Sequence, residues 1–305
     1  MTNQIVYSDE VRDGISLGLP IVALESTIIS HGMPYPQNVD TANRLCEIIR
    51  EGGCVPAIVA IANGKLHMGI DDALLERLST EEGVLKVSRR DMPVALALGS
   101  LGATTVSGTL IAAHLAGVKV FVTGGIGGVH RGAEATMDIS ADLEELSISN
   151  VTVVSAGIKS ILDLPKTLEV LETKGVPVIG FKVDELPAFY TRSSGLKLVA
   201  KADNASEVAL VMKSKWGLGL NGAILVVNPI PKEYEAGAEE IEKAINEAIC
   251  LASEKGIKGK SVTPFILSHV TEATKGDSLK ANIALVENNA RVGAKIALEY
   301  AKLVL

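Results

Sequence analysis

The sequence predicts an α/β/α protein built on a largely parallel sheet, and three features carry that prediction. Short, continuously apolar segments recur along the chain and end in Gly, Pro or Asn. Longer segments with apolar residues at helical spacing separate them. Aromatic residues are only 3% of the chain, so Val, Ile, Leu and Ala must build the core. A strand covered by helices on both faces has no polar side, and so reads as an unbroken apolar run rather than an alternating one.

Taken in order, residues 20–27 (PIVALEST) read as the first such strand. Residues 38–53 (NVDTANRLCEIIREGG) space their apolar side chains as a helix does and close on a glycine pair, a stop signal. Residues 55–66 (VPAIVAIANGKL) read as another strand, followed by 118–125, 151–157, 176–183 and 223–231. Residues 164–175 (LPKTLEVLETKG) repeat the helix-then-glycine pattern. From Ser278 to Leu305 the pattern is one long helix with a glycine inside it, or two helices in succession. Residues 1 to about 18 read as an arm packing on a neighbour or as a loose terminus. No linker, repeat or composition shift divides the chain, so residues 1–305 read as a single domain, long enough to bury a substantial core.

Composition narrows the function. A formal net charge of −7 argues against a nucleic-acid surface, which needs clustered excess Lys and Arg, although a local site can oppose the global charge. Cys46, Cys54 and Cys250 form no C-x-x-C pair and leave one thiol over in any disulfide scheme, as expected of buried apolar thiols in a reducing compartment. The first residues lack the basic and apolar segments of a signal peptide, and no uncharged run reaches membrane-spanning length. These features predict a cytoplasmic protein without a membrane partner.

The glycine cluster VTGGIGGVHRG (122–132) follows an apolar strand and invites comparison with phosphate-binding loops. It fails the dinucleotide fingerprint, because His130 stands where the third glycine of G-x-G-x-x-G is required. AGIKS (156–160) matches only the end of a P-loop, with Ile158 between Gly and Lys. What survives is a backbone that a ligand can approach closely, with N–H groups for an anion, or a plain tight turn. Beyond it, Glu134, Asp138 and Asp142 recur at four-residue intervals. If helical they share one face, which is either solvated or a site for a hard divalent cation held by one or two carboxylates and water. Zinc is disfavoured, since no His or Cys has the spacing.

Lys159 follows an apolar strand among small and aliphatic neighbours, a setting that favours the neutral amine able to attack a sugar carbonyl; a surface lysine with a buried stem is the alternative. Glu25 ends a buried strand, where its pKa should rise towards that of a general acid, unless it is a capping or ion-paired carboxylate. His31 and His130 lie in glycine-containing loops and serve either a ligand or the structure, whereas His67, His114 and His269 read as packing residues. Lys86, Arg89 and Arg90 form an anion anchor or an exposed turn paired to Asp91. GATTVSGT (102–109) offers hydroxyls and N–H groups at the start of a helix, where a phosphate can be held.

Together these stretches resemble one family. ALESTIISHGMPYPQN, KVSRRD, LGATTVSGTLIAAHLAG, VFVTGGIGGVHRGAEATMDISADLEEL, SAGIKSILDLPKTLEVLETKGVPV, DELPAFYTRSSG and SLKANIALVENNARVGAKIA are similar to the pseudouridine-5′-phosphate glycosidases, also called the indigoidine synthase A family. The resemblance runs from about residue 20 to the C-terminus. It implies a three-layer α/β/α fold around a mixed sheet, a homotrimer, Mn²⁺ dependence, and reversible cleavage of pseudouridine 5′-phosphate to uracil and ribose 5-phosphate. It further implies that Lys159 is the nucleophile, Glu25 the proton donor and Asp138 the metal ligand. Lys86, Val106, Ser140, Ala141 and Asp142 become substrate contacts, and Thr123, His130 and Asn282 belong to the uracil side. A pseudouridine kinase is the implied upstream partner. Two rival readings stand beside it: a sugar-phosphate binding protein without chemistry, against which the intact Glu25 and Lys159 argue, and a role in making the pigment indigoidine.

Overall fold

The computed structural model describes residues 4–257 and 259–304, so the Leu305 end of the last expected helix and Met1–Asn3 of the expected arm lie outside the described residues. The apolar runs form strands because their backbone groups pair on both sides while their side chains are covered from both faces. The described strands are β1 (Ile5–Tyr7), β2 (Ile21–Leu24), β3 (Val55–Ala62), β4 (Lys65–Met68), β5 (Leu85–Val87), β6 (Gly102–Thr104), β7 (Val120–Val122), β8 (Thr152–Ser155), β9 (Val178–Phe181), β10 (Ala200–Ala202) and β11 (Ile224–Val227). Every residue of β2, β3, β7, β8, β9 and β11 is buried, the outcome expected for unbroken apolar runs.

The sheet runs β1-β4-β3-β2-β7-β8-β11-β9-β10, with β6 pairing β3 and β5 pairing β6. From β3 to β10 all neighbours are parallel, whereas β4 and β6 pair β3 in the antiparallel sense. The sheet is therefore mixed and largely parallel, as expected. Residues 55–66 are not one strand but a hairpin: Asn63 (φ 51°) and Gly64 (φ 71°) turn the chain between β3 and β4. Both turn residues take the left-handed conformation that a tight two-residue hairpin requires.

The helices are α1 (Asp9–Ser16), α2 (Gln37–Glu51), α3 (Asp72–Thr80), α4 (Met92–Ala97), α5 (Val106–Ala116), α6 (Ala133–Thr136), α7 (Ala141–Ile148), α8 (Leu164–Thr173), α9 (Ala205–Gly217), α10 (Ala238–Glu254), α11 (Val262–Ala273) and α12 (Asp277–Val304). In one layer α12 packs along α2 and α9 and onto β2, β7 and β8; in the other α5 packs against α7 and onto β2 and β7. The C-terminal pattern is a single 28-residue helix. Gly293 lies within it because the helix meets β7 there, where a Cβ would collide with Val122.

Three further expectations change. From residue 4 onward the N-terminal segment packs on its own chain: β1 pairs in parallel with β4, and α1, capped by Ser8, packs on β1, β2 and β3. Of the thiols only Cys54 is fully buried; Cys46 is half-buried and Cys250 exposed, because Cys250 falls on the outer face of α10. His114, expected to pack, is exposed, and its Nδ1 accepts the Asn150 N–H at 3.1 Å. Among the described residues no helix is long and apolar enough to cross a membrane.

Candidate active site

Chain order β2-β3 runs one way from β2, and the chain later returns to place β7 and β8 on its other side. Open parallel sheets bind ligands beyond the strand C-termini at such a reversal. Glu25 follows β2, Thr123 follows β7, and Lys159 lies four residues past β8, so three adjacent strands deliver them to one place. Glu25 and Lys159 both line a cavity of about 340 Å³ with Lys86, Val106, His130 and Asp138–Asp142. A second cavity continues from it, sharing Glu25, Thr27, Lys86 and Lys159 and reaching Phe189 and Asn282. Every residue the resemblance assigns except Thr123 thus lines one cavity or the other.

The glycine loop and the lysine loop are laced together. Ala156 N–H donates to the Gly124 carbonyl (2.8 Å), Ile126 N–H to Gly157 (3.1 Å) and Lys159 N–H to Ile126 (3.1 Å). Gly157 turns with φ +94°, and any Cβ there would strike the Pro187 carbonyl. The lysine is therefore set by a backbone path that only glycine can follow.

Glu25 is buried, and burial raises its pKa above the usual carboxyl value despite the opposing pull of Lys159 and of the hydroxyl that Thr123 donates to it. Thr123 is itself 1% exposed and stands behind the acid rather than on the cavity wall. Its carbonyl accepts from Asn289 Nδ2 (2.9 Å), whose Oδ1 accepts from Asn228 Nδ2 (3.0 Å). This buried amide chain from α12 was missed in the sequence, where nothing distinguishes two asparagines on separate elements. His130 is held below its usual pKa by burial, with Asp138 opposing. Its Nδ1 lies 3.9 Å from Asp138 Oδ2.

The three carboxylates at four-residue spacing do not share a helical face. Met137 adopts φ +55° and ends α6, so Asp138 lies in a loop and Asp142 in the first turn of α7. Glu134 points away to an exposed ion pair with Lys166 at 3.0 Å. Asp142 is buried and accepts two backbone N–H groups, Ser107 on Oδ1 (2.9 Å) and Gly127 on Oδ2 (2.8 Å). It thereby ties the first turn of α5 to the glycine loop, and takes donors that the sequence offered to a phosphate. The N-termini of α5, at Thr105–Val106, and of α7, at Ser140–Ala141, still border the same cavity, a convergence of two positive dipole ends. Of the three basic residues, Arg89 pairs instead with buried Glu145, while Lys86 and Arg90 line the cavity.

Among the described residues no group of three His, Cys, Asp or Glu side chains is placed to hold a metal. Of the described cavity carboxylates, Asp91 and Asp142 accept backbone N–H groups and Glu25 accepts the Thr123 hydroxyl, whereas Asp138 has the His130 ring beside it at 3.9 Å and a side chain 34% exposed. That fits a hydrated divalent ion held by one carboxylate and water, not a closed protein cage.

A buried acid beside an amine, in a pocket lined by charges of both signs and bordered by two helix N-termini, has the groups an enzyme site for a phosphorylated sugar needs. Comparison with known proteins agrees. The family described as indigoidine synthase A like protein matches residues 10–299. A protein of Caldanaerobacter subterraneus subsp. tengcongensis named pseudouridine-5′-phosphate glycosidase is 60% identical over 99% of both chains. One of the same name from Staphylococcus aureus is 57% identical over 98% of both. The crystal structure of prealnumycin C-glycosynthase AlnA with ribulose 5-phosphate superposes with a TM-score of 0.91 at 38% identity, covering 99% of each chain. The indigoidine synthase A-like protein of Thermotoga maritima gives 0.89 at 38% identity, covering 98% of this chain and 97% of that one. The chain belongs to the indigoidine synthase A-like family.

Proposed function

We propose that this chain is a pseudouridine-5′-phosphate glycosidase, which cleaves the C–C glycosidic bond of pseudouridine 5′-phosphate reversibly to uracil and ribose 5-phosphate. The observation that carries the reading is the placement of Glu25 and Lys159 on a wall shared by a larger polar cavity and a narrower, more apolar one. The full-length relatives bearing that name support it.

The leaving atom is uracil C5, and carbon departs only if electrons have a route into the ring. A glycosidase with two carboxylates expels oxygen or nitrogen and lacks that route. Here Glu25, whose protonated form burial favours, donates to the ribose ring oxygen and opens the ring, leaving C1′ electrophilic and conjugated with uracil. Lys159 attacks C1′ through its nitrogen lone pair. A proton delivered to C5 then lets the C1′–C5 bond break, its electrons returning to the uracil ring as the nitrogen lone pair forms the Lys159 imine. Water releases ribose 5-phosphate and restores the amine.

Lys86 and the N-termini of α5 and α7 bind the 5′-phosphate and fix C1′ over the lysine. Ser140, Ala141 and Val106 contribute through that helix-start geometry, and Asp142 by holding Ser107 and Gly127 in place. Thr123 positions Glu25 and Asn282 lines the cavity given to the base, while His130, taken with the uracil side, lines the phosphate cavity beside Asp138. Asp138 would hold Mn²⁺, which when bound supplies positive charge beside the phosphate. A lyase-type cleavage, a homotrimer, an upstream pseudouridine kinase and a cytoplasmic location belong to the same reading and rest on the family resemblance.

The test is to incubate the protein with pseudouridine 5′-phosphate, with and without Mn²⁺, and to follow uracil and ribose 5-phosphate by mass spectrometry. Metal-dependent products, plus a borohydride-trapped pentose-phosphate adduct on Lys159, are expected. Lys159→Ala and Lys159→Arg should both lose at least about 10³-fold in kcat, because guanidinium stays protonated. Full turnover by Lys159→Ala would sink the scheme. Binding of ribose 5-phosphate without consumption of substrate would favour a binding protein instead.

A further inference from the structure

The second cavity runs past Glu25 and Lys159 between the segment after β2 and the helices α11 and α12, with Ile28, Phe189, Pro264 and Leu267 as apolar walls. Three residues on it carry buried polar atoms with no hydrogen-bond partner: Thr27 Oγ1, His31 Nε2 and Asn282 Oδ1. Thr27 is 9% exposed and Asn282 7%. A buried polar atom left unpaired is costly, so three around one small cavity mark the polar edge of a ligand.

His31 sits on a single π-helical turn, Ile28–Gly32, of the kind that recurs at functional sites. The turn cannot swing freely. Ser26 Oγ donates to the Val59 carbonyl (2.6 Å), Ser30 Oγ to Leu78 (2.7 Å) and Asn38 Nδ2 to Ile29 (3.0 Å). Nε2 is buried without a partner, and the Val84 backbone favours a proton on the ring. A neutral imidazole with that proton on Nδ1 presents a lone pair at Nε2. Burial and the nearby Lys86 hold the ring below its usual pKa, which keeps it neutral at pH 7.

A C-linked uracil offers two ring N–H donors, at N1 and N3, where an N-linked base keeps only N3–H because N1 holds the sugar. Two unpaired acceptors, His31 Nε2 and Asn282 Oδ1, match two donors, and the Thr27 hydroxyl can donate to a ring carbonyl. We propose that His31 is a specificity-determining residue for the base, its Nε2 accepting a hydrogen bond from one ring N–H while Thr27 engages a neighbouring carbonyl. The assignment rests on the glycosidase reading and deepens it: the site recognises its substrate by a donor that only the C-linked isomer has.

The experiment measures cleavage of pseudouridine 5′-phosphate and its inhibition by uracil, 1-methyluracil and 3-methyluracil with ribose 5-phosphate present, in wild type, His31→Phe and His31→Gln. Wild type should bind at least one methyluracil ten or more times more weakly than uracil, on the order of one lost hydrogen bond. In His31→Phe, uracil should weaken about tenfold or more and the methyl penalty at one nitrogen should shrink to less than about threefold. Ribose 5-phosphate affinity should hold, and His31→Gln should recover part of the discrimination. Equal wild-type affinity for all three bases, or an unchanged methyl penalty in a His31 variant that still binds ribose 5-phosphate, would overturn the assignment and leave the glycosidase reading intact. A wild type that cleaves nothing would overturn both.

Discussion

Glu25 shows how one side chain ties catalysis to stability. Burial favours its neutral form, so its folded pKa lies above that of the unfolded chain. Its contribution to stability is therefore full below the ordinary carboxyl range and is lost as pH rises through the folded value. An acid that must be protonated to work loses activity over the same interval. Glu25→Gln should cut kcat by at least about 10²-fold, the scale of a lost general acid, yet raise the melting temperature at pH 8 and not at pH 4. Thr123→Val removes a donor that favours the carboxylate, so the alkaline limb of the kcat profile should move to higher pH. A limb that stays in place would show that another group supplies the proton. Glu25 and Lys159 were legible in the sequence because each ends or follows an apolar run at a turn. The amide chain from Asn228 through Asn289 to Thr123 was not, since it joins residues 166 apart through packing of α12 on β7.

At the scale of elements, the glycine loop owes its composition as much to packing as to ligand. A Cβ on Gly125 would sit 2.7 Å from the Phe189 ring, and one on Gly127 would collide with the Ser140 hydroxyl and the Asp142 carboxylate. The sequence left ligand loop and tight turn open; the structure makes the loop a platform held by Asp142. Asp142→Ala strands two backbone N–H groups and should destabilise by roughly 2–6 kcal/mol, or about 1–3 for each, read by denaturant midpoint. Gly293→Ala gains helix propensity but forces α12 off β7, and overpacking of about 1–3 kcal/mol should outweigh the gain. A more stable Gly293→Ala variant would mean that α12 moves more easily than its contact with Val122 implies. The central buried strands were readable from apolar runs, but the three-residue strands β1, β5, β6 and β10 were too short to show, and the β3–β4 hairpin was hidden because the run continues through Asn63–Gly64. Likewise four-residue spacing suggested one acidic face, and a single left-handed residue, Met137, dispersed it.

Across the whole molecule the charge is −7, yet the proposed substrate is a phosphate. Attraction must therefore come from the site itself: Lys86 and Arg90 line the cavity and two helix N-termini border it, against Asp91, Asp138 and Asp142 on the same walls. Such contacts lie within the Debye length of about 8 Å at 0.15 M salt, whereas the repulsion of a distant acidic surface is screened. Added salt then weakens both the short-range attraction and the long-range repulsion, and the effects oppose each other. KM for pseudouridine 5′-phosphate should change less than about threefold between 50 and 300 mM NaCl, unlike a basic surface binding a polyanion, which loses orders of magnitude. Lys86→Met should raise KM by about tenfold to a hundredfold, on the scale of one charge-assisted hydrogen bond. A steep salt dependence in wild type, abolished by Lys86→Met, would instead mean that phosphate is captured at the exposed rim and that the helix N-termini contribute little.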